Sequence, residues 1–216
     1  MEIDYATNIP FKVEGWLKVA FVLTTLLYLP IANYKYLQLA IATAICVLGI
    51  KRQVQHFTLS KETASKVLLG EFGNSLIYVV FLLSVNEPSM AFFLPLDLYF
   101  LIGISEFVTR SKPGLLTRFS QVNQASEVIK VHKDLIKVAR SYCEVFLFFY
   151  CVVLIFMGRI NFLSAILAFN YLRLKGASPL GRWTFLEMQR EVIGKVQRLP
   201  ILAKGLGWFF GLMTQQ

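Results

Sequence analysis

Histidine, cysteine and charge are all scarce in this chain. Two histidines and three cysteines occur in 216 residues, and Asp, Glu, Lys and Arg together make up 16%. His56 and His132 have no second ligand at a helical or loop spacing, which leaves a solvated or headgroup-facing imidazole as the expected state and no metal site. Cys46, Cys143 and Cys151 fall inside or at the edge of apolar segments without CxxC spacing, so they read as small buried hydrophobes. There is no GxSxG elbow, no GxGxxG turn and no GxxxxGK[ST] loop. Nucleophilic hydrolysis, dinucleotide chemistry and nucleoside triphosphate chemistry therefore lack their usual supports. No enzymatic activity and no cofactor are expected. The opening MEIDYATNIPFKVEG is acidic, without the basic start of a cleavable signal peptide or an Arg-rich transit peptide.

What the chain has in abundance is apolar sequence. Hydrophobic residues make up 56% and the mean hydropathy is +0.58, in long runs rather than an amphipathic scatter, which takes it out of the soluble class. The fold class expected is an all-α integral membrane protein of three short helical hairpins, about six membrane helices, with cytosolic amphipathic helices added. A net charge of +9 raises nucleic acid as a partner, but the basic residues flank the apolar runs. That arrangement suits anionic lipid headgroups, and no nucleic-acid motif accompanies it.

Along the chain, residues 1–15 read as a cytosolic N-terminus, 16–174 as a membrane domain with a basic amphipathic connection at 110–140, and 175–216 as a cytosolic, membrane-interfacial tail. The first apolar block, Trp16 to Ile50, is interrupted by Pro30, Asn33 and Lys35. It predicts two arms of about 16 residues, roughly 24 Å each against a hydrocarbon core of ~30 Å. Ser60 predicts a helix N-cap, with the helix running from about Lys61 to Val85 and ending at Asn86, Glu87 and Pro88. Its return arm is expected from Ser89 to Thr109. The connection 110–140 turns at Ser111 to Gly114, then carries Val122, Ala125, Ile129, Ile136 and Ala139 at helical spacing. The third block, Ser141 to Leu174, breaks at Gly158, Arg159 and Asn161. Lysine and arginine are few at the hairpin tips and many in the connections, which predicts cytosolic connections and termini.

In the tail, Trp183, Leu186, Ile193 and Val196, with Phe185, Val192 and Leu199 beside them, are expected on one face. Glu187, Arg190, Glu191, Lys195 and Arg198 would populate the other. Beyond Pro200, Trp208, Phe209 and Phe210 favour the headgroup boundary. The expected membrane-interface residues are thus Trp183, Phe185, Leu186, Arg190, Ile193, Lys195, Arg198, Trp208, Phe209 and Phe210.

Ionisable groups at membrane depth are functional candidates because each is costly unless paired or hydrated. Lys18, Lys66, Glu106 and Glu144 lie near segment ends, where snorkelling explains them. Glu71 sits close to Asn74 and would face a polar interior. Asp97 has apolar sequence on each side, and a kink at Pro95 would leave it hydrated rather than catalytic. The intramembrane polar set is therefore Glu71, Asp97 and Glu144, with the structural reading favoured over an ion or proton site.

Several patterns carry a resemblance to a known family. HFTLSK, from His56 to Lys61, resembles an HFxLSR element. CEVFLF, from Cys143 to Phe148, resembles a NEIFL element. AFNYLRLKGASP, from Ala168 to Pro179, followed by RWTFLEMQREV, is similar to YxxFLxLRYxS followed by RxxFxELR. Together and in this order they resemble the transmembrane protein 33 family, with its Krüppel-homologue and yeast pore-membrane members. The chain departs from the pattern at Asp97, where the family is apolar, and before Glu144, where the family's asparagine is missing. The resemblance implies the endoplasmic reticulum and nuclear envelope, tubule shaping with reticulon-type proteins, nuclear pore organisation with nucleoporin partners, and a C-terminal region that binds curved membrane. The function expected is a non-enzymatic membrane-shaping scaffold. The alternatives are an accessory subunit of a larger membrane assembly and a small transporter or lipid-handling protein.

Overall fold

The computed structural model describes residues 8–27, 34–53, 61–85 and 90–214, and among these every regular element is helical. Helix α1 (Ile9–Leu27) starts earlier than its apolar run, because the Asn8 side chain accepts from the Phe11 amide at 3.1 Å and Pro10 lies in the first turn. Helix α2 (Tyr34–Gln53) ends on Lys51 and Arg52, cations that complement the C-terminal end of its dipole. The expected helix from Lys61 to Val85 is broken. Gly70, extended at φ −71°, ψ 159°, separates α3 (Lys61–Leu69) from α4 (Glu71–Ser84). The expected Ser60 cap and the tips holding Pro30, Asn33, Glu87 and Pro88 lie outside the described residues.

A short 3-10 turn, Met90–Phe92, leads into α5 (Leu94–Ser111), with Pro95 in its opening turn. Proline there starts the helix instead of kinking it, since an opening amide has no intrahelical partner to lose. Lys112, left-handed at φ 43°, closes α5. The basic connection forms α6 (Gly114–Thr117) and α7 (Ser120–Val131) before α8 (Lys133–Phe156). Gly158, at φ 68°, ends α8 in a Schellman arrangement: Arg159 N donates to Leu154 O at 2.9 Å and Gly158 N to Ile155 O at 2.8 Å. Then follow α9 (Phe162–Ala177), α10 (Pro179–Val196) and α11 (Pro200–Thr214). Ser178 caps α10 by accepting from Gly181 N at 3.1 Å.

The chain divides into two compact units. In the unit of residues 1–58 and 87–140, α1 packs on both α2 and α5, and α7 packs on α5. Its core is aromatic: Phe21 meets Phe100 edge-on at 4.8 Å, and Phe107 meets Phe11 and Trp16. In the unit of residues 59–86 and 141–216, α4 packs on α9, and α9, α10 and α11 pack on one another. The two arms expected as the second hairpin are thus divided between units, α4 to α9 in one and α5 to α1 in the other. The three-hairpin expectation is corrected accordingly: α1 with α2 pair directly, and α8 with α9 are bridged by side chains. Among the described residues two helices, Tyr34–Arg52 and Lys133–Phe156, are long and apolar enough to cross a membrane, where about six were expected. Length removes α4 and α9, which have 14 and 16 residues, and charge within the helix removes α1 and α5.

Close helix contact in the second unit depends on Gly176. A Cβ there would collide with the backbone carbonyl of Met213 on α11. Gly176→Ala should therefore lower stability by about 1–3 kcal/mol, although alanine is the better helix former. Gly205→Ala on α11, where a Cβ meets nothing within 4 Å, should be neutral or slightly stabilising. Thermal denaturation of both variants in mild detergent checks the contrast, and equal midpoints would refute the close contact.

Candidate functional site

A carboxylate or ammonium can sit inside an apolar unit only with a partner, and the first unit supplies one locally. Glu14 and Lys18, one turn apart on α1, are both buried, with Lys18 Nζ to Glu14 Oε1 at 2.5 Å. Arg52, at the end of α2, reaches the other oxygen at 3.4 Å and lays its guanidinium over Phe11 at 5.2 Å. Gly103 on α5 leaves room for the Lys18 side chain, since a Cβ there would fall on its Nζ. Buried Arg140 covers the Tyr99 ring at 4.6 Å. Lys18 is therefore an internal ion-pair partner, correcting the snorkelling expectation. Glu14 went unnoticed because it was assigned to the N-terminal segment; its signal was the Glu-to-Lys order four residues apart.

The second unit carries the matching arrangement on α8 and α9. Glu144 is buried, accepts from Tyr171 Oη at 2.6 Å and pairs with Lys175, which also donates to Ser141 Oγ at 2.9 Å. Ser84 on α4 and Ser164 on α9 bond at 3.1 Å. Of the intramembrane polar set, then, Glu144 is internally neutralised rather than placed at a headgroup. Glu71 is exposed in the first turn of α4, where a carboxylate suits the dipole, so it does not share the buried position of Asn74. Glu106 is half-buried and meets Lys133 at 2.8 Å. Cys46 and Cys151 are buried and Cys143 half-buried, all with free thiols. His132 is exposed at the break between α7 and α8. His56 and the Lys66 side chain lie outside what is described.

Asp97 is also placed differently. It lies in the opening turn of α5, buried, in a side-chain hydrogen bond with Thr25 of α1. Close by in sequence, Thr24 of α1 accepts from the Gln38 amide of α2 at 2.6 Å. Gln38, wholly buried, was missed because an uncharged residue does not stand out in an apolar run.

The expected interface residues separate into two groups. Trp183, Leu186, Arg190, Lys195, Arg198 and Trp208 are exposed, and Ile193 is half-buried. Phe185, Phe209 and Phe210 are buried within the unit. Phe209 stacks on Phe148 at 5.3 Å and meets Phe149 at 5.0 Å, drawing α11 onto α8. Tyr142 of α8 donates to Glu191 of α10. The tail is thus docked rather than detached, and one helix turn apart it presents Trp183 with Leu186 outward and Phe185 inward. Between α8 and α9, near their turn, an apolar cleft of about 310 Å³ is lined by Phe148, Val152, Ile155, Phe156, Phe162 and Phe169.

The sequence profile of the family described as Transmembrane protein 33/Nucleoporin POM33 matches residues 13–204. No curated protein and no solved structure matches the chain.

The buried pair of the second unit gives a direct test. Glu144→Gln leaves Lys175 charged and half-enclosed, and Lys175→Met leaves Glu144 charged and buried. Each single change should cost about 3–5 kcal/mol, and the double variant should recover most of that loss. Denaturant or thermal unfolding of all four proteins measures the coupling, and simple additivity would remove the pair from the account.

Proposed function

We propose that this chain, which belongs to the Transmembrane protein 33/Nucleoporin POM33 family, is a non-enzymatic membrane-shaping scaffold of the endoplasmic reticulum and nuclear envelope. The family description names a transmembrane protein and a nucleoporin, which supports membrane residence and association with nuclear pores. The reading of shape rests on one observation, the docked tail with its exposed Trp183, Leu186 and Trp208 set among exposed Arg182, Arg190, Lys195 and Arg198. Indole rings favour the headgroup boundary and the cations favour anionic lipid, so this surface suits a bilayer face better than bulk water.

Other helices support the same reading. On α1 the exposed residues Ile9, Val13, Trp16, Leu23 and Leu26 follow helical spacing on one side. Its charged Glu14 and Lys18 face the other way and pair, so the outward surface is apolar apart from the exposed Lys12 near its start. In the second unit Phe146, Val153 and Phe156 of α8, with Phe162, Leu163 and Ile166 of α9, are exposed in the same manner. Faces of this kind match lipid contact. A docked interfacial tail would insert more cross-section into the cytosolic leaflet than into the lumenal one, which favours positive curvature there, although the arms α2 and α8, at 20 and 24 residues, are longer than the roughly 16 expected. Cytosolic termini, reticulon-type partners and nucleoporin partners belong to this proposal.

Purified protein reconstituted at high density should draw anionic liposomes into tubules or small vesicles. The variant with Trp183→Ser, Trp208→Ser and Arg190→Gln should lose most of that activity while keeping its thermal midpoint, because all of these side chains are exposed. Electron microscopy reads the outcome. Liposomes that stay spherical at every loading would count against shaping and leave the accessory-subunit reading.

A further inference from the structure

Between the end of α5, the short α6 and α7, the first unit forms a polar cavity of about 330 Å³, the size of a small-ligand site. Its walls carry Thr109 and Lys112 from the end of α5, Thr117 from α6, and Asn123, Ser126 and Glu127 from α7. Several of these side chains have only acceptors left to offer. Thr109 Oγ1 gives its proton to Ser105 O at 2.9 Å and Thr117 Oγ1 to Pro113 O at 3.1 Å, so both hydroxyl oxygens are left as acceptors. Asn123 Nδ2 donates to Thr117 O at 3.2 Å, which leaves its Oδ1 in the same condition. Ser126 is 3% exposed, and its hydroxyl has no hydrogen-bond partner among the described residues. A hydroxyl buried to that extent calls for a partner, and the cavity it lines is where one can enter.

Two charges border the same space. Lys112 makes no ion pair among the described residues, and Glu127 meets only Lys130, one turn along α7, at 3.8 Å with both side chains exposed. Lys112 and Glu127 thus share a cavity without neutralising one another. Lys112 also holds an unfavourable backbone, since φ 43°, ψ 55° is the left-handed region where helix ends favour glycine or asparagine. For the helix end alone lysine is the poorer residue, so its ammonium is the property that needs a use.

We propose that this cavity binds the headgroup of an ethanolamine phospholipid, its phosphate taken by Lys112 and its primary ammonium by Glu127 with the oxygens of Thr109, Thr117 and Asn123. Ser126, free to donate or to accept, serves whichever end reaches it. A primary ammonium brings three N–H donors to a wall rich in acceptors. A choline headgroup brings none and is held by aromatic cages instead, and among the described residues no aromatic ring lines this cavity. An anionic headgroup without an amine would leave the carboxylate and the three neutral acceptors unanswered. A lipid is favoured over a free phosphoethanolamine because Leu115 and Phe119, two residues to either side of Thr117, are exposed, and so is Val128 beside Glu127. Apolar side chains in those positions suit acyl chains. The site uses no residue of the tail surface and goes beyond the shaping role, resting only on residence in a membrane.

The test uses the full chain purified in mild detergent, with its thermal midpoint followed as short-chain phosphatidylethanolamine is added. Phosphatidylcholine and phosphatidylinositol of the same chains, and free phosphoethanolamine, form separate arms. The expected result is a saturable rise with the ethanolamine lipid, on the order of 5–10 °C at a hundredfold excess over Kd, and none with the choline lipid. Lys112→Asn should keep or raise the midpoint without lipid, because asparagine tolerates the left-handed region, yet raise the Kd about tenfold or more. Glu127→Gln should weaken binding similarly, and Glu187→Gln, in the other unit, should leave it unchanged. Should Lys112→Asn fail to fold, the wild-type titrations and Glu127→Gln still decide. Equal rises with ethanolamine and choline lipids, or a Kd indifferent to both variants, would overturn the proposal. A rise with the inositol lipid alone would overturn the ethanolamine assignment, and free phosphoethanolamine acting as strongly as the lipid would overturn the lipid source.

Discussion

Within apolar helices a charge must find its counter-charge on the chain itself, and much of this structure follows from that requirement. Glu14 and Lys18 neutralise one another within α1, and Arg52 brings the end of α2 to the same carboxylate. Glu144 draws Lys175 and Tyr171 of α9 to α8. Where two helices are joined in this way, packing can stay loose without loss of register, because the ion pair fixes which residues face each other. Glycine is needed where it cannot, as at Gly103 beside Lys18 and Gly176 beside Met213.

This arrangement explains why charge counting along the chain misleads. A hydropathy count treats Lys12, Glu14 and Lys18 as equal penalties, but with Glu14 and Lys18 paired and turned inward, Lys12 is the one charge left on an outward face of Ile9, Val13, Trp16, Leu23 and Leu26. The property that matters for a lipid-facing helix belongs to a surface, and composition averages over all of it.

The sequence made the helical class and the family legible, because long apolar runs and ordered short patterns are properties of the chain in one dimension. The break at Gly158 was visible for the same reason, since glycine and charge interrupt a run locally. The division of α4 from α5 was not, as both halves have the same apolar composition and only their packing partners, α9 and α1, distinguish them. Gly70 gave no warning either, because a single glycine in a helical run is usually tolerated. In the candidate sites, Asp97 was visible as a charge, but the proline before it suggested a kink where the structure has a helix start. Gln38 was invisible because the meaning of its amide comes from Tyr34 and Thr24, contacts that no spacing rule announces.

The docking of the tail has a thermodynamic consequence. Many lipid-binding amphipathic segments are coils in water, and the free energy of contact with a bilayer is reduced by the entropy of ordering them. Here α10 and α11 are already helical and are held to the rest of their unit through Tyr142 with Glu191 and through Phe209 with Phe148 and Phe149. In the proposed role their outward side chains would meet lipid as a rigid surface whose ordering was completed when the unit folded. Such a surface would discriminate between membranes by fit to their shape, as a template does, instead of adapting its own conformation to each.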